Sequence, residues 1–218
     1  MNLFSIADEL SSHLIKAGVI FTEDGYPIIP DEMILKKYPD EIIPFEHRNT
    51  CINKNTTVLS HFSNDELLYR RLRNLEKDIS ICKEYMGVVG FDLSPRLGWS
   101  LEQQKFNLLL NQLVNAFRAV NGVKIIPNFR IGELSTISAL DSYPPNSLFV
   151  VGTLGCSKGY KSINSTMLRT KLLYKRPEGI LVYGKLHLEY QHIIEEFGIP
   201  YRVYQDFKSS CYSRKKVS

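Results

Sequence analysis

The sequence predicts an α/β fold in which a mostly parallel sheet of about six strands is covered by helices. From about residue 57 onward, short apolar segments alternate with longer segments of helical periodicity, and this alternation is typical of a parallel sheet. The apolar segments are continuous and bounded by polar residues, which is the pattern of strands buried on both faces. For a chain of 218 residues we favour an open doubly wound sheet. An incomplete TIM-like barrel is the alternative, because a complete eight-stranded barrel usually takes about 250 residues.

Residues 1–55 are predicted to form an N-terminal helix, hairpin and irregular connection that pack on a core domain of residues 56–218. Apolar residues within 3–17 follow helical spacing. An Asp-Gly pair at 24–25 separates two short apolar segments, which is a strong signal for a hairpin. One short strand, 42–45, is expected in the connection.

In the core domain, caps and apolar segments predict the elements in order. Asn64 and Ser100 can each accept hydrogen bonds from the unpaired N–H groups at the start of a helix. The predicted helices are 67–75, 101–121, 165–175 and 187–197. The predicted strands are 57–62, 86–91, 123–128, 147–152, 179–184 and 199–205.

Composition and charge exclude several classes of protein. The net charge of +4 would tolerate a phosphate-bearing partner, but the chain lacks the dense basic stripe of dedicated nucleic-acid domains. No segment approaches the roughly 18 apolar residues of a membrane span. The acidic Asp8 and Glu9 interrupt the first apolar stretch, unlike the core of a signal peptide. The four cysteines form no CxxC pair, which indicates free thiols. We therefore expect a cytoplasmic protein without membrane contact.

Polar residues follow the predicted strands at their carboxyl ends, where ligands bind in parallel α/β folds because helix N-termini and loops converge there. Asp92 comes directly after an apolar strand and is the candidate catalytic residue. It could hold a divalent metal, act as a general base or orient an arginine, or it could cap the turn before Ser-Pro. The sequence offers no second nearby carboxylate for a two-metal site, so we predict no metal ligands and leave the cofactor open. The ligand-binding candidates on these strand ends are Ser94, Arg96, Asn128, Arg130, Tyr183 and Lys185.

A glycine-rich segment, 152–159, follows one of the predicted strands. Its glycines permit close approach of backbone N–H groups to an anion, and Lys158 could add a positive charge. The spacing matches neither a dinucleotide-binding glycine motif nor a P-loop, so a plain turn is the alternative. Thr153, Gly155 and Cys156 are the other ligand-binding candidates in this segment.

Four segments between about residues 88 and 186 resemble an uncharacterised protein family carried by bacteria and their phages, classed as a domain of unknown function. The segments are VVGFDLSP, QQKFNLLLNQLVNAFRAVNGVKIIPNF, VVGTLGC and RPEGILVYGK, in this order. The family's motifs map onto Asp92 and Ser94, Gln104 and Asn107, Ile126 and Pro127, Thr153, Gly155 and Cys156, and Tyr183 and Gly184. The resemblance implies a phage or mobile-element setting and brings no established activity, cofactor or catalytic residue.

Two hypotheses from different classes follow. In the first, the protein recognises a phosphate-bearing ligand, a nucleotide or a nucleic acid, at the carboxyl edge of the sheet, with phosphoryl-transfer or hydrolytic chemistry at Asp92. In the second, a non-enzymatic accessory protein binds a host or phage protein through residues 1–55. That surface would expose Phe4, Phe21 and Tyr26.

Overall fold

The structure, a computed structural model, describes residues 2–152 and 161–207, without the side chains of 161–163. These residues form seven strands and six α-helices. The strands are β1 (Glu41–Pro44), β2 (Thr57–Ser60), β3 (Gly87–Val89), β4 (Ile125–Ile126), β5 (Leu148–Gly152), β6 (Gly179–Tyr183) and β7 (Tyr201–Tyr204). The helices are α1 (Leu3–Lys16), α2 (Asp65–Arg71), α3 (Leu75–Cys82), α4 (Leu101–Val120), α5 (Lys161–Lys175) and α6 (Leu188–Glu196).

The paired strands are parallel, and their spatial order follows the sequence. One sheet has the order β1-β2-β3-β4 and the other the order β5-β6-β7. The predicted α/β class, with parallel strands covered by helices, is confirmed. A doubly wound sheet reverses its strand order at a switch point, and neither sheet does so. Of the two arrangements that the sequence left open, the observed order fits the barrel-like one.

The two sheets join at β4 and β5. Asn128, just beyond β4, forms a parallel bridge with Val150 of β5. Phe129 N donates to Val150 O at 2.8 Å, and Val150 N donates to Pro127 O at 2.8 Å. The strands from β1 to β7 therefore follow one another in a single layer.

Side chains connect the two outer strands of this layer, β1 and β7. Tyr204 Oη at the end of β7 donates to Pro39 O, just before β1, at 2.9 Å. At the carboxyl end of the strands, His47 stacks on Phe207 with ring centroids 3.8 Å apart. We call this junction the seam. The layer therefore curves back on itself and encloses an interior.

Alternation along each strand separates an inner core from an outer one. Successive side chains of a strand point to opposite faces, and Ile43, Leu59 and Val88 belong to the large cluster that packs against the helices. Their neighbours form a second cluster with members from every strand: Ile42, Val58, Val89, Ile126, Leu148, Val150, Leu181, Tyr183 and Tyr204. This second cluster, which we call the inner core, fills the interior of the barrel.

Helices begin at the predicted caps. Asn64 Oδ1 accepts a hydrogen bond from Leu67 N at 2.9 Å at the start of α2. Ser100 and Gln103 form a capping box at the start of α4. The predicted helix 67–75 is shorter than the observed helical region, because a 3-10 turn joins α2 to α3, which continues to Cys82.

The N-terminal region contributes a helix and the first strand. α1 packs against α4. The predicted hairpin at 24–25 is reduced to one antiparallel bridge, Phe21 to Pro27, flanked by hydrogen bonds from Thr22 N to Tyr26 O and from Ile28 N to Ile20 O. Residues 41–44 pair with β2 as part of the sheet, and the division of the chain at residue 55 stays a prediction. In the described part of the chain, no helix is both long enough and apolar enough to cross a membrane.

Candidate functional site

Alternation along the strands carries several side chains to the inner side of the barrel at its carboxyl end. Each of them lies two or four residues beyond an inner-core residue of the same strand. Residues at this spacing share a face of the strand, so each of them faces inward. Phe62 follows Val58, Asn128 and Arg130 follow Ile126, Gly152 follows Val150, and Tyr183 follows Leu181. Together with Asp92, these residues, Phe62, Asn128, Arg130, Gly152 and Tyr183, form what we call the mouth.

Asp92, Asn128 and Arg130 are in direct contact across the ends of β3 and β4. Asn128 Nδ2 donates to Asp92 Oδ1 at 2.6 Å. Arg130 Nε lies 3.6 Å from the same oxygen. Asp92 is only 7% exposed, whereas the Arg130 side chain is 29% exposed. A buried carboxylate therefore meets a cation that solvent can reach.

Burial raises the pKa of the Asp92 carboxyl above its ordinary value. The positive charge of Arg130 and the hydrogen bond from Asn128 act in the opposite direction, and the effect of burial is the larger. A carboxylate with a raised pKa is a better proton acceptor than an exposed one, which is a property that general bases share.

Amide side chains of α4 hold the segment that carries Asp92. Asn115 Oδ1 accepts a hydrogen bond from Phe91 N at 2.8 Å. Asn111 bonds Leu93 twice, accepting from its N at 2.8 Å and donating to its O at 2.9 Å. The residues on both sides of Asp92 are thus fixed from the α4 side. Its carboxylate lies on the other side, against Asn128.

Ser94 and Arg96 are held by a second carboxylate, Asp65, at the first position of α2. Asp65 Oδ1 accepts from Ser94 N at 3.0 Å, and Arg96 Nη2 lies 3.2 Å from Asp65 Oδ2. Asn107 of α4 donates to Ser94 O at 3.0 Å. The negative charge of Asp65 also contributes to the raised pKa of Asp92. This carboxylate could not be linked to Ser94 from the sequence, because it precedes Ser94 by 29 residues.

Phe62 crosses the barrel at its carboxyl end. Its ring stacks with Tyr183 of β6, with centroids 5.4 Å apart and planes 21° apart. A Cβ at Gly152 of β5 would lie 2.9 Å from the ring, so a side chain at that position would displace Phe62. Neither β5 nor β6 is a neighbour of β2, so the ring spans the interior. It packs on the inner core while remaining partly exposed, and it forms the floor of the mouth.

Aromatic side chains continue from this floor to the seam. Phe207 N donates to Tyr183 Oη at 3.1 Å, and the Phe207 ring stacks on the exposed His47. Burial raises the pKa of Tyr183, so its hydroxyl is neutral at physiological pH. The side of the mouth next to β6 is therefore lined by aromatic rings.

Other residues predicted from the sequence lie apart from this network or outside the described residues. Lys185 is exposed, beyond the end of β6. Cys51 and Cys82 are free thiols, as predicted. Thr153, Gly155, Cys156 and Lys158 lie outside the described residues, as does Cys211, so anion binding by the glycine-rich segment stays a prediction. Within residues 2–152 and 161–207, no group of three or more His, Cys, Asp and Glu side chains is arranged to hold a metal ion.

The fold and the mouth fall within one protein family. Residues 21–199 match the model of the family described as Domain of unknown function (DUF4417). The match extends beyond the motif segments in both directions and includes β1, β2 and α6. Neither the curated proteins nor the solved structures include a significant match to the chain. Since the family model covers most of its length, the chain belongs to this uncharacterised family.

Proposed function

We propose that the protein recognises a phosphate-bearing ligand, a nucleotide or a nucleic acid, at the mouth. The convergence of Asp92, Asn128 and Arg130 on the inner side of the barrel supports this proposal. In barrels of parallel strands, ligands bind at the carboxyl face because the ends of several strands and their loops meet there. The resemblance of the motif segments to proteins of bacteria and their phages supports a phage or mobile-element setting in the bacterial cytoplasm.

Arg130 is the side chain that we expect to contact the phosphate. A guanidinium group presents a planar set of donors that matches two phosphate oxygens. Asp92 lies 3.6 Å from Nε and orients the group. Because 29% of the Arg130 side chain is exposed, a phosphate can reach it without displacing the core. Lys185 and Arg96 are expected to add positive charge at the rim, together with Lys158.

Asp92 is the proposed catalytic residue for phosphoryl transfer or hydrolysis. Its raised pKa suits it to accept a proton from an attacking hydroxyl or water. The second carboxylate, Asp65, has both oxygens engaged by Ser94 and Arg96. Proton transfer by Asp92 therefore fits the geometry better than a site with two metal ions. A single Mg²⁺ needs only one or two protein carboxylates in addition to phosphate oxygens and water.

The test measures the melting temperature and affinity of the full chain with nucleotides, short oligonucleotides and inorganic phosphate, each with and without Mg²⁺. A ligand at a hundred times its Kd adds about 2.7 kcal/mol to the free energy of unfolding. Arg130→Gln is expected to weaken binding roughly ten- to a hundredfold, since it removes a charge-assisted contact. Arg169→Gln is the matched control, because Arg169 forms an exposed ion pair with Glu196 away from the mouth.

Equal binding by the two variants would contradict the role of Arg130. If no phosphate-bearing compound stabilises the folded protein, the proposed function is wrong.

A partner-binding function is the second candidate, because the N-terminal region exposes apolar side chains. Phe4 is 67% exposed, Ile15 64% and Ile20 71%. The predicted surface is only partly correct, since Tyr26 is buried and Phe21 is half-buried. Ile15→Glu combined with Ile20→Glu separates the two functions. The partner-binding function predicts loss of activity in the native host with ligand binding at the mouth unchanged.

A further inference from the structure

We infer that the ligand of the mouth is a nucleoside phosphate whose base stacks on the ring of Phe62. This inference rests on the proposed function and adds to it the part of the ligand other than the phosphate. It assigns a binding role to a side chain that the sequence analysis did not single out. It also predicts which phosphate compounds the protein distinguishes.

The position of Phe62 is the first support. The ring comes from β2 but contacts Gly152 and Tyr183 on the far side of the barrel. The inner core fills the space on its strand side, and the ring lies beyond the carboxyl end of β2, so its exposed part faces the mouth. A flat aromatic surface at the floor of a polar mouth is suited to an aromatic ligand, since every nucleobase has a π face that can stack.

The glycine at 152 is the second support. A larger residue there would drive a side chain into the Phe62 ring, which it would approach to 2.9 Å. The strand opposite the ring thus ends in the one residue type that leaves the ring in its present position. Gly152 therefore leaves the Phe62 ring in place as the flat floor of the mouth.

The polar side of the mouth is the third support. Asn128 Nδ2 and Arg130 Nε both approach the same oxygen of Asp92, Oδ1. The other carboxylate oxygen, Oδ2, takes part in neither of these two contacts, and we assign to it a hydrogen bond from an N–H group of the base. Arg130 lies next to the Asp92 carboxylate and is the side chain that would bind the phosphate. The mouth therefore combines an aromatic floor, a hydrogen-bond acceptor and a cation, which are the kinds of group that a base, its edge and its phosphate require.

The experiment compares the affinity of the full chain for four nucleoside 5′-monophosphates, ribose 5-phosphate and inorganic phosphate by calorimetry. At least one nucleotide is expected to bind more tightly than ribose 5-phosphate, by roughly 5- to 150-fold, the range measured for stacking one base on an aromatic side chain. A single-stranded oligonucleotide tested alongside shows whether a free nucleotide or the nucleotide of a strand is the preferred source.

Two variants of Phe62 sharpen the test. Phe62→Leu removes the π face but keeps an apolar floor, so nucleotide affinity should fall toward that of ribose 5-phosphate, whose own affinity stays unchanged. Phe62→Tyr keeps the ring and should keep the affinity. Phe4→Leu is the control, because Phe4 is an exposed aromatic residue of α1 that packs on Phe106, away from the mouth.

The outcomes separate the two proposals. If nucleotides and ribose 5-phosphate bind the wild-type protein equally, base stacking is wrong while phosphate recognition stands; this comparison needs no variant to fold. If Phe62→Leu binds nucleotides as tightly as wild type, the assigned residue is wrong. If no phosphate compound binds, the proposed function fails and the inference fails with it.

Discussion

Two groups of charged side chains lie on opposite faces of the layer of strands. Inside the barrel, the mouth pairs the buried Asp92 with the partly exposed Arg130. Outside, between the strands and the helices α2 to α4, lies what we call the outer cluster, which consists of Glu46, His61, Arg71, Asp78 and Arg118. Both groups contain arginine near a group that it can bond, yet Arg118 of the outer cluster is fully buried, whereas the Arg130 side chain is 29% exposed.

At the centre of the outer cluster, Arg118 and His61 are shielded from solvent. Arg118 is 1% exposed, and its Nη2 lies 2.9 Å from His61 Nε2. A guanidinium can only donate, so the imidazole nitrogen must accept, which requires neutral histidine in this contact. Burial lowers the pKa of His61, and the charges of Arg118 and Arg71 lower it further. Arg71 carries the ion pairs of the cluster, with Glu46 at 3.0 Å and Asp78 at 3.1 Å.

The difference separates structural charge from charge available to a ligand. Within the described residues, Arg118 has no carboxylate within 4.0 Å, and its Nε finds no hydrogen-bond acceptor. Its long side chain fills space between α4 and the strands, in contact with the Phe91 ring. A ligand cannot reach such a group without unfolding the layer. At the mouth, the same residue type keeps part of its surface in solvent.

The largest expected effect is in the outer cluster. Arg118→Ala should lower the free energy of unfolding by about 3–5 kcal/mol, because it empties the volume of a fully buried long side chain and removes the partner of His61. Urea denaturation measures the change. Lys105→Ala, an exposed position of the same helix, should stay within about 0.5 kcal/mol of wild type. A loss below about 1 kcal/mol at Arg118 would mean that the outer cluster is not a structural element.

A smaller effect is expected from the protonation of His61. Its lowered pKa means that the folded state binds fewer protons than the unfolded state below the unfolded pKa of about 6.5. The free energy of unfolding should therefore fall as the pH falls below about 6.5, by at most about 1.4 kcal/mol per pH unit. His61→Gln should remove this dependence, whereas His47→Gln, at an exposed position, should retain it. The same slope in wild type and His61→Gln would contradict the assignment.

The smallest effect is expected at Asp92, and it has the opposite sign. A raised pKa means that the folded state binds more protons above the unfolded pKa of about 3.9. The stability of wild type relative to Asp92→Asn should therefore fall as the pH rises from about 3.9 through the folded pKa, and then level off. The effect is small because Arg130 and Asn128 offset part of the cost of burial. Asp8→Asn, at an exposed position of α1, should not change the slope. A relative stability that rises with pH would show that the ion pair outweighs burial.

The sequence predicted most of the strands and helices because each depends on local chemistry. Apolar segments bounded by polar residues predicted β3 to β6, and the capping side chains of Asn64 and Ser100 predicted where α2 and α4 begin. Asp92 and Asn128 were expected at one edge because parallel strands end on the same side, and they are in contact. Strand order could not be obtained in this way, since the same elements fit a doubly wound sheet.

Residues that act across the barrel could not be predicted from local patterns. Phe62 meets Gly152 and Tyr183 only because the layer curves round and brings β2 opposite β5 and β6. The amide side chains of Asn111 and Asn115 lay within a helix whose apolar residues dominated its interpretation. Their hydrogen bonds to Phe91 and Leu93 reach a different element, which helical spacing alone does not indicate.

The seam bears on how the chain folds. The contact from Tyr204 to Pro39 spans 165 residues, whereas β2, β3 and β4 pair with strands close to them in sequence. Distant contacts form slowly because a long stretch of chain must first lose its freedom. Until the seam forms, β1 and β7 have open edges that another copy of the chain could join. Tyr204 and the stacked His47 and Phe207 connect these two strands through their side chains, and we expect these contacts to form late in folding.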